Sequence, residues 1–61
     1  MKVTVSTREQ TVIVNLNNHT ELNPTSARAA RDIAFGVGAH ATVKSGYTCY
    51  RVTKSGARKI R

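Results

Sequence analysis

Eight cations crowd the second half of this 61-residue chain: Arg28, Arg31, Lys44, Arg51, Lys54, Arg58, Lys59 and Arg61, with Asp32 as the one acid among them. Residues 1–27 are neutral by contrast, because Lys2 and Arg8 balance Glu9 and Glu21. The formal net charge of +7 therefore belongs to one half of the molecule. Cations gathered this way repel one another, and an anionic partner offsets that cost. The chemistry they do best is phosphate binding. Affinity comes from releasing many condensed counterions together, and arginine adds a planar fork that meets a phosphate or a guanine edge with two hydrogen bonds. These eight residues are the candidate nucleic-acid contacts. Phe35 and Tyr47 are the aromatic side chains placed to stack on a base or to anchor a protein partner.

Covalent chemistry has little to work with. Cys49 and His40 are the thiol–imidazole combination to consider, and no third group is placed to orient the ring. A single cysteine excludes an internal disulfide and fits a reducing compartment. With only His19 and His40 beside it, a zinc site lacks ligands. No glycine-rich phosphate loop, carboxylate pair or metal-ligand spacing occurs, so the expectation is a protein without cofactor, metal or enzymatic activity. The opening MKVTVSTREQ alternates where a signal peptide would carry an apolar block. No apolar run approaches the ~20 residues of a membrane span. A cytoplasmic protein with no membrane partner is expected.

The elements that must position the cations follow from local patterning. KVTVST and TVIVNL are rich in β-branched residues and read as a hairpin around Arg8-Glu9. That register sets Val5 opposite Val12 and Val3 opposite Val14, on one face with Leu16. A Ser6/Glu9 capping box is the competing reading, and the run TVIV argues against it. NNHTELNPT is a turn-rich connection. A helix then begins at an Asn23 or Thr25 cap with Pro24 in its first turn, runs through SARAARDIAF, and stops at Gly36 or Gly38. Helical spacing gathers Ala27, Ala30, Ile33, Ala34 and Val37 on the inner face and puts Arg28, Arg31, Asp32 and Phe35 outside. A fraying end that folds Phe35 back into the core is the alternative for that residue.

A second hairpin turns at Ser45-Gly46, with Val43 opposite Thr48, Ala41 opposite Tyr50 and Ala39 opposite Val52. Its polar face carries His40, Thr42, Lys44, Tyr47, Cys49 and Arg51. Residues 1–53 thus form a single α+β domain, a small two-layer ββαββ arrangement with one helix packed on antiparallel hairpins. Residues 54–61 follow as a basic tail with one helical turn capped by Thr53. The larger side chains expected inside are Val3, Val5, Val12, Val14, Leu16, Ile33, Val37, Val43, Tyr50 and Val52. So few apolar groups leave a thin margin of stability, which makes a homodimer a reasonable expectation.

The helix, the second hairpin and YRVTKSGARKI together resemble the second half of a winged-helix DNA-binding domain. In that family a recognition helix precedes a two-stranded wing, whose last strand ends in an aromatic, a variable residue, an aliphatic and Thr, before a Gly and a further aliphatic residue. Tyr50, Val52, Thr53, Gly56 and Ile60 occupy those positions. The resemblance covers a little over half the chain. It implies residues 24–35 as recognition helix, 39–53 as wing and DNA, favoured over RNA, as partner. The family places two helices ahead of its recognition helix, whereas residues 1–16 here read as strands. From charge and resemblance together, a small DNA-binding regulator is expected that meets phosphates through its helix face, second hairpin and tail. The reading from another class is a small inhibitor or adaptor, such as a phage encodes, whose basic surface occupies an acidic groove on a larger host protein.

Overall fold

The computed structural model describes residues 1–18 and 20–61; His19 lies outside the described residues. Five strands and one helix follow in the order β1 (Lys2–Ser6), β2 (Thr11–Asn15), α1 (Pro24–Phe35), β3 (Ala41–Ser45), β4 (Thr48–Thr53) and β5 (Gly56–Lys59). The strands form one antiparallel sheet in the order β2-β1-β3-β4-β5. The helix packs against all five. The chain is therefore a two-layer α+β fold, as the patterning indicates, with one strand more than expected.

The first hairpin has the expected register, Val5 opposite Val12 and Val3 opposite Val14. Its connection is the four residues Thr7–Gln10, closed by a 2.8 Å bond from the Thr7 amide to the Gln10 carbonyl. Because β2 and β3 flank β1, the chain must cross the sheet between them, and α1 makes that crossing. The helix starts where Asn23 caps it. The Asn23 side chain accepts from the Ser26 amide at 3.0 Å, and Ser26 Oγ accepts from the Asn23 amide at 3.1 Å. It ends at Gly36, whose φ of 92° lies where a side chain is strained.

The core is the row of inward residues Val3, Val5, Val14, Leu16, Ala41, Val43, Tyr50 and Val52 under Ala27 and Ala30 of α1. Three of the expected core residues are not in it: Val12 is half-buried at its margin, and two others lie outside. Ile33 is 66% exposed and Val37 is 90% exposed, and the buried stripe of α1 is Ser26, Ala27, Ala30 and Arg31. Val37 falls outside because the helix has already stopped. Ile33 is turned out because Arg31 is turned in.

Arg31 is only 1% exposed. Its Nε and Nη2 donate to Asp32 Oδ1 at 2.9 and 2.6 Å, and its Nη1 donates to the Thr53 carbonyl at 2.7 Å. A buried guanidinium is tolerated only when paired and bonded in this way. The side chain ties α1 to the end of β4.

The second hairpin departs from its expected register by two residues. Val43 faces Tyr50, Ala41 faces Val52 and Ser45 faces Thr48, so the loop is Gly46-Tyr47. Gly46 has a φ of 57° and Tyr47 has none of the positive φ a type I′ turn demands, so the turn is of the II′ kind with Gly first. A shift of two preserves which face each side chain takes, and the expected faces survive.

The basic tail is not a tail. Residues 56–59 pair with β4, Arg58 opposite Arg51 and Ala57 opposite Val52. Beyond them the Ile60 and Arg61 amides both donate to the Cys49 carbonyl, and the Arg61 carbonyl accepts from the Cys49 amide. Two residues opposing one is a β-bulge, which keeps Ile60 and Arg61 on the sheet. Thr53 opens a turn into β5 where a helical turn was expected. Replacing Arg31 with Ala removes buried packing and orphans the Thr53 carbonyl, with an expected loss of about 2 kcal/mol. Arg28→Ala, on the exposed side of the same helix, should change stability by less than about 0.5 kcal/mol. Urea unfolding of the two variants checks both values.

Candidate nucleic-acid interface

With α1 covering the valine side, alternation sends every other strand residue to the opposite, open side of the sheet. The pairing registers arrange these residues in rows that cross the strands. One row runs Thr11, Ser6, Thr42, Arg51 and Arg58 from β2 to β5. The next runs Ile13, Thr4, Lys44 and Cys49, and the bulge brings Arg61 to the end of it. Lys2 and Asn15 begin a third. The hydroxyls cluster toward β1 and β2, and the cations toward β3, β4 and β5.

The sheet places Lys2, Lys44, Arg51, Arg58 and Arg61 on this face, and Arg8 of the β1–β2 loop borders it. Among the described residues no carboxylate shares it: Glu9 lies in the β1–β2 loop, Glu21 precedes α1, and Asp32 is committed to Arg31. Arg51 and Arg58 face one another directly across β4 and β5. Directly opposed like charges weaken a sheet, and no neighbouring acid relieves this pair.

Three shallow depressions mark the face, one of them lined by Arg51, Thr53, Ser55 and Arg58 at the β4–β5 edge. Of the other two, the first, lined by Ser6, Thr42, Arg51 and Thr53 with Arg8 and His40 at one end, combines hydroxyl donors with cations. The second is lined by Lys44, Gly46, Tyr47, Cys49 and Arg61. His40 and Cys49 line different depressions, two rows apart, so the thiol and imidazole are not within reach of each other. Among the described residues no three metal-ligating side chains converge, and no helix is long and apolar enough to cross a membrane.

The expected contact residues divide. Lys44 and Arg51 share the polar face of the second hairpin as expected, and Arg58 and Arg61 join them because residues 56–61 extend the sheet. Lys54 sits in the β4–β5 turn beside this face. Lys59 pairs with Tyr50 and so emerges on the helix side of the edge strand. Arg28 is exposed on α1, in the other layer. Arg31 must be struck from the surface altogether: its burial against Asp32 and Thr53 leaves no guanidinium for a phosphate. Phe35 is half-buried against the core and beside the β1–β2 loop, although the helix does not fray and runs intact through it, while Tyr47 stands 98% exposed. Sequence reading missed Lys2, which balances an acid in composition but forms no ion pair with one among the described residues. The period-two alternation of KVTVS, with Lys2 opposite in phase to Val3 and Val5, was the signal for it.

Comparisons with protein-family models, with curated proteins and with solved structures gave no match.

The unrelieved Arg51–Arg58 pair has a measurable consequence. Arg58→Thr should raise stability by about 0.5 kcal/mol at low ionic strength. The gain should fade as salt screens the pair, and thermal unfolding across a salt series reads both effects.

Proposed function

We propose that the protein binds nucleic acid through the open face of its sheet, chiefly by phosphate contacts, with DNA as the favoured partner. The observation that supports this reading is the acid-free row structure: five cations on one exposed face, two of them directly opposed. Natural sheets normally intersperse the two signs, and a face that pays for one sign alone is suited to a polyanion. The threonine and serine hydroxyls between the cations are further phosphate donors.

The dimensions favour backbone over base contact. Five strands at ~4.8 Å spacing make a face about 19 Å across, wider than the ~12 Å major groove that admits two strands. The sheet therefore lies across phosphates. Binding of this kind holds many sequences with similar strength, which suits a protein that coats or grips nucleic acid more than one that selects an operator.

Fluorescence anisotropy with labelled duplex and single strands over a salt series tests the reading. Five phosphate contacts give a log–log salt slope of about −4.5 on duplex DNA and about −3.5 on a single strand. Lys44→Ala, Arg51→Ala and Arg58→Ala should each reduce the slope by about one, equally for all sequences. Arg28→Ala and Lys59→Ala, on the helix side, should leave it unchanged. An Arg28 variant that weakens binding as much as Arg58→Ala would return the contact to the helix. No binding at low salt would sink the reading and direct the same face to an acidic protein.

A further inference from the structure

Tyr47 is held in water at the apex of the β3–β4 hairpin with 98% of its surface exposed. A ring so large normally repays its place in a sequence by burial, and here it buries nothing. The turn fixes its position. Gly46 takes the positive φ at the first central position, so Tyr47 is second and projects from the tip.

The surroundings are equally specific. Lys44 and Cys49 face each other just below the turn, and the bulge at Ile60 and Arg61 brings Arg61 alongside. With Gly46 and Tyr47 these residues line a depression of about 310 Å³. Neither cation is spoken for, since among the described residues the one salt bridge joins Arg31 to Asp32.

We propose that this hairpin tip is a subsite for an unpaired nucleobase, with Tyr47 stacking on the base and Lys44 and Arg61 holding its flanking phosphates. The ligand class is single-stranded nucleic acid. The inference rests on the reading of the open face as a phosphate surface and adds what that face otherwise lacks, a flat ring. Inside a duplex each base is already stacked on both sides, and the ring has nothing to meet; a single strand leaves base faces free. The combination of one aromatic platform with cations on the backbone path is sequence-tolerant, because every base has a π-face. Stacking does not use the phenol hydroxyl, so Phe can replace Tyr.

Anisotropy with labelled oligo-dT, oligo-U and a fully abasic strand of equal length separates base from phosphate contact. Wild-type protein should bind the better base-bearing strand about tenfold more tightly than the abasic one. Tyr47→Ala should erase that difference while leaving abasic binding and its salt slope intact, and Tyr47→Phe should keep it. Whichever of oligo-dT and oligo-U binds more tightly identifies DNA or RNA as the source of the base. Both variants change a side chain that touches no core residue, and circular dichroism verifies that they fold. Equal binding of wild type and Tyr47→Ala to base-bearing strands overturns the subsite and leaves the ring to a protein contact. Absence of wild-type binding to every strand overturns the underlying phosphate surface instead, so the two failures are distinct.

Discussion

A sheet has two faces and this fold has one helix to cover them. Twelve residues of α1 lie over five strands, and they manage it by being small at the contact. Ser26, Ala27 and Ala30 are fully buried, which lets the helix axis approach the valine rows closely. Where those small residues run out, toward β4 and β5, the gap is closed by Arg31. Its guanidinium reaches the Thr53 carbonyl and is neutralised by the next residue, Asp32. A long polar side chain thus finishes a contact that an apolar one would have made too bulky, with its hydrogen bonds satisfied inside the fold.

Everything on the second face follows from what the helix cannot reach. Residues alternating with the buried valines face away from α1, and most of them suit water, Thr4, Ser6, Thr11, Thr42, Lys44, Arg51 and Arg58, although Ile13 stands among them 69% exposed. Threonine satisfies the strand and the solvent together, through a branched Cβ and a hydroxyl. The cations satisfy the solvent but strain one another where Arg51 meets Arg58. Such a strain is tolerable in a sheet already held from the other side, and it leaves the face ready for an anion. Stability resides in the helix layer and ligand chemistry in the open layer, with β4 contributing to both through alternate residues: Tyr50 and Val52 inward, Cys49 and Arg51 outward.

The β5 strand shows how this division is completed. An edge strand of Gly56, Ala57, Arg58 and Lys59 is short and charged, which discourages pairing with another sheet. Its value lies in placement. By pairing with β4 it carries Arg58 onto the open face, and the bulge after it holds Arg61 beside Tyr47. A free segment would have offered the same charges without fixed positions, and ordering them on binding would cost conformational entropy.

Sequence alone determined the local and periodic features. The valine alternation of KVTVS and TVIVN identified the first hairpin, its register and its inner face. The alternatives Asn23 or Thr25 at the start and Gly36 or Gly38 at the stop bounded the helix to within two residues, which the structure narrows to Asn23 and Gly36. Sequence also located the charge, because charge is a sum over residue types. The tertiary structure decided what depends on neighbours distant in the chain. Alanine-rich helices have weak faces, so whether Ile33 or Arg31 turned inward depended on a carbonyl at Thr53, 22 residues away. Residues 56–61 have too little β-branched character to announce a strand, and became one because β4 offered an unpaired edge. The hairpin loop slipped to Gly46-Tyr47 because a type II′ turn wants glycine first, a preference that acts only once two strands are pairing. Composition could say that cations outnumber acids; only the folded sheet could put five of them on one side and Arg31 on the other, since which charges share a surface is a property of pairing and not of order along the chain.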